Sequence, residues 1–347
     1  MRIAPILLLT VLAPAASAAP PQEVLGKLSF PTSGPATAQA HFEHGVLLLH
    51  SFFYDEALDA FRAATAAAPD FAMGYWGEAM TYDHPLWEQH DGGAGRAALA
   101  RIPASARLTP RERDFVAAAR LLFAPGDRAP AKAAYSAALE RMHAAYPDDD
   151  EVTAFYALSL LGLAGQEASK IDLRIRAGAL MLDVFARNPE HPGAAHYIIH
   201  AFDDPVHAVL ALPAARHYAA VAPAAFHARH MPSHIFVHLG LWPEALRANE
   251  SAWAASQAWI ERRHHGIEKR DFHSLSWLAS IALQLGDRRR AEEALQIATD
   301  TLAKVNTSYT RAVYATIASA LLTETGEWRR AEELLQPLAR PLPPPKA

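Results

Sequence analysis

Histidine is the residue in this chain whose type and spacing point most directly to chemistry. Nine of its eighteen histidines fall between His191 and His238, seven of them in HPGAAHYIIHAFDDP and HARHMPSHIFVH. His196 and His200 are four apart, as are His230 and His234, and the two couples are offset by 34 residues. On a helix, residues four apart lie about 40° from each other around the axis, so each couple forms a pincer on one face. Two pincers at equivalent places in neighbouring units are expected to bring four imidazoles, His196, His200, His230 and His234, to a common point. Neutral imidazoles in such numbers suit Zn, Cu or Ni, and zinc takes imidazole nitrogen at about 2.0–2.1 Å.

Other groups are expected around that point. Asp204 stands 34 residues before His238 with Asp203 beside it, and either carboxylate would orient an imidazole through its second nitrogen. His191, His227, His238 and His273 lie near the same face and join Asp203 and Asp204 as groove or supporting residues. Pro232 complicates this geometry. A proline deletes a backbone hydrogen bond and clashes with the preceding turn, so a helix starting there would leave His227 and His230 on its entry turn. The bland alternative is a polar or proton-responsive groove, because two histidines four apart in an alanine-rich helix commonly serve packing or solvation. Recurrence at 34 residues favours the metal, since packing histidines have no reason to repeat.

The elements that position these residues read as helix pairs. Alanine is abundant, glycine modest and cysteine absent, which favours an all-α chain. Small residues and proline mark the units. Gly45, Ala57, Phe61, Ala64 and Pro69 bring two helices close, fill between units and end the second helix. Ala211 and Ala245 are 34 apart, as are Pro189 and Pro223, while Gly286 and Gly326, Ala291 and Ala331, and Leu295 and Leu335 recur at 40. A 34-residue period with these landmarks resembles the tetratricopeptide repeat (TPR), clearly over residues 38–71, 192–258 and 272–338 and loosely over 111–190. The resemblance implies an all-α solenoid of antiparallel helix pairs over 37–338, a right-handed superhelix whose first helices line a concave groove. The chain also looks like a group of exported bacterial TPR proteins with HPGAxHYxIHA and HxPSHIF-like motifs.

Outside the solenoid, MRIAPILLLTVLAPAASA has the short apolar run and small-x-small end of an export signal, with cleavage expected near Ala18. Residues 19–36 read as a flexible lead-in and 339–347 as a mobile proline-rich tail. Between His84 and Leu108 a long glycine- and proline-bearing loop interrupts the array, and Thr109-Pro110-Arg111-Glu112 restarts it as a capping box. Trp76, Trp87, Trp242 and Trp277 read as core, with Trp76 and Trp87 near a possible cleft. His41, His44 and His50 lack the four-residue spacing and read as caps or surface.

Composition excludes several functions. A net charge of -5, a pI near 6.4 and scattered basic residues argue against nucleic acid. Without cysteine there is no disulfide, thiolate ligand or covalently attached haem. HExxH, GxSxG and the Walker GxxxxGK[ST] are all absent. The sequence therefore leaves three readings. One is an exported, periplasmic or secreted solenoid with a transition-metal site in its groove. Another is a metal-free scaffold for a peptide or envelope protein. The third is a metalloenzyme or haem protein using the same histidines, with Asp203 or Asp204 as the base beside an open metal position.

Overall fold

The computed structural model describes residues 24–165 and 167–342. The expected export signal, 1–18, and residues 343–347 of the expected tail lie outside the described residues.

Helices occupy nearly all of the described chain. In order they are α1 (Ala36–His50), α2 (Tyr54–Ala67), α3 (Ala72–Met80), α4 (Gly92–Ala100), α5 (Pro110–Leu122), α6 (Arg128–Ala145), α7 (Asp150–Ala164), α8 (Ile171–Arg187) and α9 (Pro192–Ala201). There follow α10 (Ala208–Val221), α11 (Phe226–His230), α12 (Pro232–His238), α13 (Trp242–Arg263), α14 (Phe272–Gln284), α15 (Arg288–Lys304), α16 (Ser308–Thr325) and α17 (Ala331–Leu335). Successive helices pack on one another, and the first helices of successive pairs also touch: α1 on α3, α3 on α5, α7 on α9, α9 on α12, and α14 on α16. This double row of neighbours is a TPR-like α-solenoid.

Small residues permit the close packing. A Cβ on Gly45 would lie 2.7 Å from the Phe61 ring, and Gly77 on the next helix meets the same ring still more closely. Buried Ala57, Ala64, Ala211, Ala215, Ala245, Ala252, Ala291 and Ala298 play the same part on second helices, where a longer side chain would force the axes apart. The restart at α5 follows its sequence signature. Thr109 Oγ1 accepts from Glu112 N (3.2 Å), Glu112 Oε2 accepts from Thr109 N (2.6 Å), and Pro110 opens the helix.

Three expectations change. Residues 24–35, read as part of a flexible lead-in, run extended against the helices with Leu25 and Phe30 buried. The Phe30 ring lies 5.0 Å from Phe42 and 5.1 Å from Phe115, and Glu112 Oε1 accepts from both Ser33 N and Ser33 Oγ, so apolar burial and a capping carboxylate hold the segment. The interval 84–108 is not all loop: Asp83–His84 pairs with Gln89–His90, and α4 follows, capped by Asp91. The loosely matching region 111–190 forms regular pairs, α5 with α6 and α7 with α8.

The array curls far enough for α13 to meet the first helix pair. On α13, Trp259 Nε1 donates to Glu56 Oε1 (2.6 Å) and Arg263 pairs with Asp59 (2.6 Å), both acids lying on α2. The turn between α1 and α2, with Phe52 and Phe53, and the helices α9, α11, α12 and α14 thereby bound a cavity of about 580 Å³.

Candidate metal centre

Helix α9 carries the first pincer. Pro192 starts the helix, and His191 caps it by accepting Ala194 N at its Nδ1 (3.1 Å). One turn later His196 and His200 turn inward, their Nε2 atoms 3.1 Å apart. His227, from α11, brings its own Nε2 to 3.1 Å from that of His196.

The second pincer spans the Pro232 break. Proline begins α12 as expected, leaving His227 and His230 on the short α11. Met231 between them keeps helical angles (φ -52°, ψ -35°), so the four-residue geometry survives the break. His230 and His234 bring their Nε2 atoms to 3.0 Å, and the ring of His273 from α14 lies 4.6 Å from that of His230. The four imidazoles expected to share one point thus fall into two groups, His196/His200/His227 and His230/His234/His273, the candidate ligand atoms of each within 4.8 Å of one another. Each pincer gains a third imidazole from a residue expected only in a supporting place. The groups adjoin, with the rings of His227 and His230 6.3 Å apart, and His200, His227, His234 and His273 all line the one cavity.

The outer nitrogens fix the tautomers. His196 Nδ1 lies 2.7 Å from the His50 carbonyl oxygen, which can only accept, so Nδ1 carries the proton and Nε2 presents a lone pair. Asn249 Nδ2 donates to Ala245 O, which turns its Oδ1 toward His230 Nδ1 at 2.7 Å with the same result. Asp203 Oδ2 lies 2.9 Å from His234 Nδ1, and its Oδ1 accepts from His238 Nε2 (3.0 Å). Burial pushes the Asp203 carboxyl up, but the His234 hydrogen bond and the surrounding imidazoles outweigh it and hold the group at about 2. His230 and His234 therefore direct two lone pairs at each other across 3.0 Å. Only a cation, a proton or a metal ion, can lie between them. Two nitrogens bound to one tetrahedral zinc sit roughly 3.3 Å apart, a few tenths of an ångström from what is observed.

Burial acts against the proton at most of these rings. It lowers His196, His227 and His230 well below the ordinary imidazole value and His200 to about 3, with neighbouring imidazoles adding to the effect. His273, whose ring faces the cavity, falls to about 4 for the same two reasons.

Aromatic rings close the site. Phe52, in the turn between α1 and α2, lies 4.4 Å from His196 and stacks on His200 and His227 at 5.8 and 5.6 Å. Its φ of 58° is unusual for a bulky residue and is held by the packing of its ring on three histidines. Trp277 stacks on His234 at 4.3 Å. Trp76 is core, as expected, whereas Trp87 is 45% exposed and lines the cavity. No spacing rule marks Phe52 or Asn249, because each reaches the site from another repeat or another helix of the pair.

Two expected residues lie elsewhere. The chain leaves α9 at Phe202, which separates the neighbouring acids. Asp203 turns back to the histidines, while Asp204 accepts from Val206 N, His207 N and His207 Nδ1 and pairs with Arg174 at 3.8 Å. His191 points into the core, where Glu151 Oε1 accepts from its Nε2 (3.1 Å). There it meets His50, read from sequence as a cap or surface residue but fully buried. His50 Nε2 donates to Glu151 Oε2 (2.9 Å), and its Nδ1 accepts from Tyr197 Oη (2.8 Å). Burial raises the Glu151 carboxyl, but the two imidazoles beside it bring it down to about 2.

No protein-family model and no curated protein matches the chain. Among solved structures it is similar to human IFIT1 in a dimer with m7Gppp-AAAA, at 15% identity over 87% of this chain and 74% of that one, with a TM-score of 0.36. It is also similar to a chain of Naa15/Naa10 bound to HypK-THB (11% identity, 87% of this chain, 53% of that one, TM-score 0.29). A third is the TPR domain of P58(IPK) (13%, 88% and 100%, TM-score 0.22). At these identities the likeness extends to repeated helices and says nothing of the histidines. Among the described residues no helix is long and apolar enough to cross a membrane.

Proposed function

We propose that this protein binds transition-metal ions, Zn, Cu or Ni, at its two three-histidine groups, one ion to each, for metal handling or metal-dependent recognition of a ligand in the groove. The observation that carries this reading is the facing lone pairs of His230 and His234, whose Nδ1 protons are committed to Asn249 and Asp203. Three imidazoles per ion leave a coordination position open toward the cavity, as in sites that take an exogenous ligand. Asn249, Asp203 and the His50 carbonyl act as the outer partners that orient metal-bound imidazoles. The signal-like residues 1–18 support placing this activity outside the cytoplasm.

The test is metal analysis and calorimetric titration of chelator-stripped protein with Zn²⁺ and Cu²⁺, alongside His200→Ala and His234→Ala. Two ions per parent chain and one in each variant are expected. A parent that takes up no metal, or variants that bind as much as the parent, would overturn the reading.

A further inference from the structure

The cavity beside the histidines has an unequal balance of committed charge. Its two acids are both engaged: Asp203 by His234 and His238, and Asp271 by capping α14, where it accepts from Ser274 N (3.2 Å). Arg174 is engaged too, donating to the Asp203 carbonyl (3.0 Å) and pairing with Asp204. Lys269 and Arg270 differ. Their side chains make no hydrogen bond or ion pair among the described residues, and the Arg270 Nε is buried without a partner. That Nε is closed to solvent, so a ligand in the cavity would meet the terminal N–H groups of the guanidinium, which are uncommitted. Arg270 lies over the Trp253 ring at 5.8 Å, which positions the guanidinium without satisfying its donors.

The wall near these cations is aromatic. Phe53, Trp87 and Phe226 line the cavity and, together with Lys269, also a hollow that adjoins it. A volume of about 580 Å³ falls within the range of small-molecule sites, roughly 300–1,000 Å³.

We propose that this cavity binds a small aromatic carboxylate, its carboxylate held by Lys269 and Arg270 and its ring by Phe53, Trp87 and Phe226. The assignment deepens the metal-binding reading by naming a ligand class. It rests on that reading only in that loaded histidine groups would add positive charge to the same cavity. A planar guanidinium with an adjacent ammonium matches a carboxylate, which accepts at both oxygens.

The probes are phenylacetate, its neutral analogue phenylacetamide, and acetate, titrated into stripped and zinc-loaded protein and followed by tryptophan fluorescence and calorimetry. Phenylacetate is expected to bind saturably. Phenylacetamide and acetate should bind roughly tenfold or more weakly, since one loses the charge-assisted hydrogen bonds and the other the ring contacts. Lys269→Gln and Arg270→Gln should each weaken phenylacetate by a similar factor. Lys269 is exposed, so its variant serves even where the Arg270 variant is poorly folded. Equal affinity for phenylacetamide, unchanged affinity in Lys269→Gln, or no binding of phenylacetate overturns the proposal. Charge-selective binding by a protein that takes up no zinc would leave this site standing while removing the metal.

Discussion

Of two clusters of similar composition, one in the core and one in the groove, only one calls for a cation. In the core, His50 and His191 flank Glu151 with every ring nitrogen matched. Two N–H groups donate to one carboxylate, Tyr197 donates to His50, and the α9 backbone donates to His191. In the groove, His230 and His234 spend their N–H groups outward and meet lone pair to lone pair. Proximity of histidines and a carboxylate therefore does not define a metal site. What separates the two clusters is the direction of the proton, fixed by the atom behind each ring.

The clusters are also mechanically joined. His191 caps the helix that carries His196, and the backbone carbonyl of His50 holds the His196 ring. The buried network thus sets the position and tautomer of the groove residues without facing the cavity.

Acid should affect metal-free protein most. Folded pKa values at His196, His200, His227 and His50 lie below 6.5, so the unfolded chain takes up protons first as pH falls. Stability is then full above pH 6.5 and is lost below it, by roughly 1.4 kcal/mol per pH unit for a fully buried ring such as His196. Thermal unfolding between pH 7.5 and 5 should show a steep fall in Tm. A flat profile would mean that the buried rings are already charged.

Breaking the matched cluster comes next. Glu151→Ala strands two buried N–H donors and opens a cavity, an expected loss of roughly 2–5 kcal/mol in denaturant unfolding. Variant protein that still folds should keep measurable metal uptake. Loss of all metal with unchanged stability would reverse the roles given to the two clusters.

Each bound ion should stabilise the parent by about 2.7 kcal/mol at a hundredfold excess over its Kd. Chelator should remove that gain, and His200→Ala/His234→Ala should show no response to either metal or chelator. The smallest effect is expected at the outer partner. Asp203→Asn replaces a carboxylate that accepts from two imidazoles with an amide offering one acceptor. Metal affinity at the His230 group should drop by about 10- to 100-fold while the His196 group is unaffected. Competition titration resolves the two, and an equal loss at both would show that Asp203 serves the whole cavity.

Much of this was legible from spacing. Small residues at Gly45, Ala57 and Ala64 with Phe61 between them read as helix pairs because close axial approach admits little else. The intervals of four residues set both pincers, since helical periodicity alone aligns those side chains. The 34-residue interval from Asp204 to His238 drew attention to the acids after the first pincer, with Asp203 only as the neighbour, and could not separate the two. That depended on where α9 ends.

The linear chain, then, determined the repeating helices and the pairing of His196 with His200 and of His230 with His234, because local backbone geometry suffices for each. Only the tertiary structure decided that two groups form instead of one, that His227 and His273 complete them, and that His50 and His191 are matched by Glu151 in the core. The physical reason is that those contacts join residues up to 147 positions apart, from His50 to Tyr197, across the curl of the solenoid. Which nitrogen of a histidine carries the proton is settled by the partner that this curl places behind it.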